Sequence, residues 1–130
     1  MKKFPFISSA QSLIMFRVVL ALMLAAHGVM RLSAGTVDDF GEFLNSKGFL
    51  IGPAIAWFLT IFEMVGGLLL AAGYFVRWIA AIFIIEHCFG IILVHAPNGW
   101  FVVGHQSGGV EYSVLIIFSM LVIAASAKKQ

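Results

Sequence analysis

Four apolar runs, each long enough to cross a lipid bilayer, constrain this chain more than any other feature. They extend from about Leu13 to Leu32, Pro53 to Val76, Trp78 to His95 and Gly109 to Ala127. A helix rises about 1.5 Å per residue, so about 20 apolar residues cross a hydrocarbon core of about 30 Å. None of the runs alternates and each is far longer than a barrel strand, which excludes a β-barrel. The residues are 62% hydrophobic and 11% charged, against about 25% charged in soluble domains. A soluble domain of 130 residues buries too small a share of its surface to hide so much apolar area. The sequence therefore predicts one integral membrane domain over residues 1–130. It is all-α, a four-transmembrane-helix bundle with the lipid bilayer as solvent.

The first run is not read as a cleaved signal, because Arg17 interrupts it and no A-x-A site follows. The net charge of +2 sits in short clusters rather than a stripe, which argues against nucleic-acid binding. The lone Cys88 supplies neither a disulfide framework nor a CxxC motif and reads as a small apolar residue. Lys2 and Lys3, Arg77, and Lys128 and Lys129 fall on one side of a four-span chain. The third connection, Ala96 to Gly108, has no Lys or Arg. The positive-inside rule then places both termini in the cytoplasm and the two long loops outside.

In the first outer loop, Thr36 and Asp39 have capping-box spacing, and Gly48 is placed to end a helix. Phe40, Phe43 and Leu44 share one side of that segment, and Asp38, Asp39 and Glu42 share the other. A short amphipathic helix at the outer surface is expected. The second outer loop begins with the turn Pro97-Asn98-Gly99, continues through the apolar Trp100 to Val103, and reads as dipping into the interface.

Charged side chains inside a span are costly and mark candidate sites. Arg17, His27, Glu63, Glu86 and His87 fall within the runs, and Arg31, His95 and Glu111 at their outer ends. The rise per residue puts Glu63 about 15 Å below the outer end of its helix and His27 about 8 Å below the surface. Arg31 lies one turn above His27 on the same face. His27, Arg31, His95 and Glu111 read as a polar cluster open to the outside, continued inward by Glu63 and, as an option, by Glu86. On these depths His27 is too shallow to touch Glu63, so a water or ligand bridges them and Glu63 is expected to be protonated or proton-sharing. Gly66 and Gly67, just after Glu63, let another helix approach closely. Arg17 also has a plain reading as a snorkelling side chain, and Glu111 as a favourable charge at a helix start. Glu86 and His87 are about 100° apart on a helix, so one of them is assigned to a contact with another subunit, in a homo-oligomer or a larger membrane complex. There is no HxxxH or HExxH spacing, so no metal site is assigned. His27 and His95 are the only histidines at matched depth, and a bis-histidine haem is disfavoured. GxGxxG, GxxxxGK[ST], GxSxG and CxxC are all absent.

Several of these residues occur in an ordered set. Arg17, His27-Gly28, Glu63-Met-Val-Gly-Gly and Gly73-Tyr-Phe-Val-Arg77 are followed by His95-Ala-Pro-Asn98-Gly99-Trp-Phe and Gly108-Gly109-Val-Glu111-Tyr112. The set, from Ile14 to Ala125, resembles the DoxX family. The resemblance implies a small four-helix protein of the bacterial inner membrane, an oxidoreductase or a subunit of a quinol oxidase or thiosulfate:quinone oxidoreductase. It also implies a shared polar set of His27, Glu63, Asn98, Glu111 and Tyr112. This chain departs from the family in having Arg31 where Lys is frequent, and Trp78 where Pro is. The leading expectation is a redox-linked membrane protein with a quinone or quinol as its cofactor, a subunit or accessory of a larger assembly. In it Glu63 and His27 handle protons, and Arg31, His95, Asn98, Glu111 and Tyr112 bind the ligand. Arg17, Gly66, Gly67, Glu86 and His87 serve structure and interfaces. The rivals are a proton-coupled transporter or channel built on the same carboxylates, and a scaffold for partner proteins.

Overall fold

Helix α1 (Ser9–Ser33) begins a turn before the first apolar run, and Ser8 is the reason. The Ser8 hydroxyl accepts the Gln11 N–H at 3.2 Å, and the Ser8 N–H donates to Gln11 Oε1 at 2.8 Å. This closed capping box satisfies donors that the helix start leaves free. The computed structural model describes residues 3–127 of the chain. Its further helices are α2 (Val37–Ser46), α3 (Gly52–Ala72), α4 (Val76–Gly90) and α5 (Glu111–Ser126). Helix α4 continues into a π-helical turn, Ile91–His95, and a 3-10 turn, Ala96–Asn98. No strand occurs among the described residues.

Three segments are long and apolar enough to cross a membrane: Ser9–Ser33, Gly52–Ala72 and Val76–Asn98. The fourth apolar helix, Glu111–Ser126, has 16 residues and is shorter. The second run was expected to reach Val76, but α3 stops at Ala72 because Gly73 takes a left-handed φ of 91° and turns the chain. The amphipathic helix of the first loop is present as α2, with Val37, Gly41 and Leu44 buried and Asp38, Asp39 and Glu42 exposed. Its predicted capping box does not form. Thr36 makes no side-chain bond to α2, and its hydroxyl donates back to Arg31 O at 3.4 Å. Gly48 does end the helix, through bonds from Gly48 N to Asn45 O and from Phe49 N to Leu44 O.

The chain divides into two compact units, Met1–Tyr74 and Phe75–Gln130. In the first, α1 and α3 run antiparallel and nearly backbone to backbone. A Cβ on Gly28 would stand 2.7 Å from Thr60 O, and one on Gly67 would stand 2.9 Å from Ala21 O. Gly67 stands where the two backbones approach, whereas the three atoms nearest to a Cβ on Gly66 all belong to the Phe62 ring of its own helix. Helix α2 seats Gly41 against Pro53, and Asn45 Oδ1 accepts the Gly52 N–H at 2.8 Å at the start of α3.

In the second unit α4 packs on α5. The segment joining them folds back on itself through bonds from Gly108 N to Val102 O, Gly109 N to Phe101 O, Val110 N to Gly99 O and Glu111 N to Trp100 O. Arg77 at the start of α4 donates to Ala127 O at 2.9 Å, satisfying a carbonyl just past the end of α5.

Candidate functional site

Gly28 brings α3 against α1, and Arg31, nearly one turn further along α1, then reaches the polar residues of α3. Its Nη1 donates to Glu63 Oε2 at 2.8 Å and its Nη2 to Glu63 Oε1 at 3.1 Å. Nη1 also donates to Thr60 Oγ1 at 3.2 Å. The Thr60 hydroxyl gives its own proton to Ala56 O at 2.7 Å, which leaves its oxygen free to accept from Arg31. Thr60 and Glu63 are three residues apart and share one face of α3. From α2, Phe40 lays its ring 4.7 Å from the Arg31 guanidinium carbon, a cation–π contact.

The pair is screened from solvent. The Glu63 side chain is 8% exposed and that of Arg31 20%. The planar guanidinium meets both carboxyl oxygens, and the two bonds fix both groups in orientation. Glu63 was expected to be protonated and to reach His27 only through a bridge. Arg31 instead occupies the position beside the carboxylate. His27 is exposed and holds no hydrogen bond among the described residues. Gly28 takes the stripe of α1 that faces α3, and His27 lies about 100° round the helix from it. A proton relay directly between His27 and Glu63 has no support in this geometry.

The other polar residues named from the sequence divide between the units. His95 Nδ1 donates to Gly108 O at 2.8 Å, since a carbonyl can only accept. Asn98 Nδ2 reaches Val94 O at 3.3 Å and Gly108 O at 3.4 Å. Glu111 Oε1 accepts the Val102 N–H at 2.8 Å. His95, Asn98 and Glu111 therefore clasp the 99–110 segment shut in the second unit. Tyr112 is half-buried in the first turn of α5. Glu86 and His87 are half-buried on α4, with His87 Nδ1 donating to Phe83 O at 2.8 Å. Arg17, in the first unit, lies at the end of α3 and donates to Ala71 O. No group of three or more His, Cys, Asp or Glu side chains is placed to hold a metal ion among the described residues.

Thr60, Phe40 and the contact role of Gly28 escaped the reading of the sequence. A hydroxyl three residues before a buried carboxylate was the available signal for Thr60. Phe40 carried none beyond its place on the apolar face of α2.

The chain matches the model of the DoxX family over residues 12–96. That stretch contains α1 from its fourth residue on, α2 to α4, the π-helical turn and every member of the Arg31 site. Asn98, Glu111 and Tyr112 lie beyond it, so the family match is shorter than the resemblance drawn to Ala125. No curated protein and no solved structure matches the chain. A match over well over half of the sequence, on a chain of long apolar helices, shows that this protein belongs to the DoxX family.

Proposed function

We propose that this chain is a four-span protein of the bacterial inner membrane, one membrane domain with both termini in the cytoplasm, that binds a quinone or quinol headgroup at Arg31 and Glu63. The observation that carries the reading is the two-bond ion pair joined by Thr60 and held between apolar, membrane-length helices. Such a pair is costly to bury and is a candidate functional site for that reason. The 16 residues of α5 lie within the apolar run from Gly109 to Ala127, whose 19 residues are enough for a fourth crossing. Four crossings bring Lys3 and Arg77 to one side, as the positive-inside rule requires.

The donor set suits the ligand class. Arg31, steadied by Thr60, can donate to a quinone carbonyl, and a Glu63 oxygen can accept from a quinol hydroxyl. A bound quinol supplies two electrons and two protons. Arg31 would orient the headgroup, Glu63 would take one proton from a hydroxyl, shifting one of its oxygens from Arg31 to that group, and the second proton would leave to water. Both electrons would pass to an electron-accepting partner protein in the membrane. That partner, or a second copy of this chain, is assigned to the Glu86 and His87 region of α4.

The test is to purify the full chain with native lipids and assay quinone in an organic extract. Wild type should retain quinone, and Glu63→Gln and Arg31→Gln should retain about ten-fold less, since each removes a charge-assisted bond. Retention unchanged in both variants would overturn the assignment. Proton flux through the purified chain in quinone-free liposomes would favour the transport reading instead.

A further inference from the structure

Arg17 has five N–H donors on a rigid fork and uses almost none of them. Among the described residues its only hydrogen bond runs from Nη2 to Ala71 O at a long 3.4 Å. Its Nε is buried with no acceptor. Arg31 makes three bonds between 2.8 and 3.2 Å in the same unit, so the shortfall at Arg17 is not a general property of its arginines. A charged donor left without an acceptor in an apolar setting is unfavourable, and a ligand that supplies acceptors relieves it.

The level of Arg17 in the bilayer follows from α3. That helix has 21 residues, which at about 1.5 Å each gives a rod of about 30 Å, the thickness of the hydrocarbon. Its last carbonyls, Ala71 among them, therefore stand at the boundary where lipid headgroups begin. Gly73 forms the floor beside the guanidinium, since a Cβ there would stand 3.0 Å from Arg17 Nη2. With φ at 91°, that position is one where a side chain would also be strained. Tyr74, the next residue, is exposed, and Tyr is a residue type that settles at headgroup level. On the α1 side, exposed Val19, Leu22 and Met23 continue from Arg17 towards the bilayer centre.

We propose that Arg17 binds the phosphate group of a membrane phospholipid, with the Gly73 turn as the floor of the site. A guanidinium fork matches phosphate oxygens in pairs, and a phosphate is the anion present at that level of the membrane. The site is separate from the Arg31 pair and does not depend on the quinone reading. It depends only on α3 crossing the bilayer.

The full chain in a mild detergent is titrated with phosphatidylglycerol, diacylglycerol or inorganic phosphate, and bound lipid is counted by native mass spectrometry. Wild type retains phosphatidylglycerol and not diacylglycerol. Arg17→Gln lowers that retention about ten-fold, while Lys3→Gln, an equal charge change at an exposed position, leaves it as in wild type. Retention unchanged in Arg17→Gln overturns the proposal, as does an equal loss in Lys3→Gln, which marks diffuse charge attraction. Equal retention of diacylglycerol, or displacement of the lipid by equimolar inorganic phosphate, also overturns it. A measurement independent of Arg17→Gln uses labelled guanidinium carbons in bilayers. Wild type shows dephasing by lipid phosphorus that Arg17→Lys removes, and identical dephasing in the two overturns the site.

Discussion

Among the described residues, Glu63 and Arg31 form an ion pair largely screened from solvent. Removing one partner of a buried pair costs about 3–5 kcal/mol, because the survivor is left uncompensated. Replacing both by apolar side chains of similar size is often neutral. Arg31→Met should therefore lower the melting temperature in detergent clearly, and Arg31→Met with Glu63→Leu should restore most of the loss. A double variant no better than the single one would show that the two side chains are not coupled. The sequence alone marked Glu63, because a carboxylate in a long apolar run has few benign explanations. It marked Arg31 too, but as a member of an outer cluster and not as the direct partner of Glu63. Depth estimated from straight helices places Cα atoms, whereas an arginine reaches several ångströms from its own. Arg31 thus spans a gap that seemed to need a water or a ligand. Depth likewise says nothing about direction round the helix, and His27 is exposed, about 100° from the stripe of α1 that meets α3.

The glycines of α1 and α3 decide how the first unit packs. Gly66 and Gly67 are adjacent in sequence and opposite in consequence. A methyl on Gly67 meets the Ala21 carbonyl and the Ala25 side chain, neither of which can swing away. A methyl on Gly66 meets an aromatic edge in its own helix. Gly67→Ala should destabilise by about 1–3 kcal/mol through overpacking. Gly66→Ala should be nearly neutral, because alanine is the better helix former by about 1 kcal/mol. Thermal unfolding of the two variants side by side checks this, and equal losses would contradict the packing. The sequence made the close approach legible, but a turn of about 100° between neighbours separates the glycine that makes it from the one that does not. Helix starts were legible unevenly too. The Ser8–Gln11 box lay upstream of the apolar run and was passed over. The Thr36–Asp39 spacing looked right, and its hydroxyl is engaged elsewhere.

Across the whole chain, the membrane character was the most legible property, because a long apolar run has no other comfortable solvent. Orientation rests on the placement of a few cations. A cysteine in place of Asn98 should react with an impermeant reagent added to intact cells, and one in place of Lys128 only after lysis. Reaction at residue 128 in intact cells would reverse the topology. The connection between α4 and α5 was legible as a turn followed by an apolar stretch. Its closure by His95, Asn98 and Glu111 was not, since those bonds join residues up to 13 positions apart to backbone atoms.

The π-helical turn at Ile91–His95 has a consequence for how this chain tolerates changes in length. The Ala96 N–H bonds to Ile91 O, five residues back, where an α-helix would use four. That turn holds one residue more than the helix needs. Deleting a single residue between Ile91 and Val94 would let the backbone close into ordinary α-helix, leaving everything before it in register. Ala96 would then meet the same Ile91 carbonyl at four residues, so His95, its neighbour, keeps its direction and its bond to Gly108. The surplus residue is thus slack in the chain, and losing it should leave both the helix and the clasp in place.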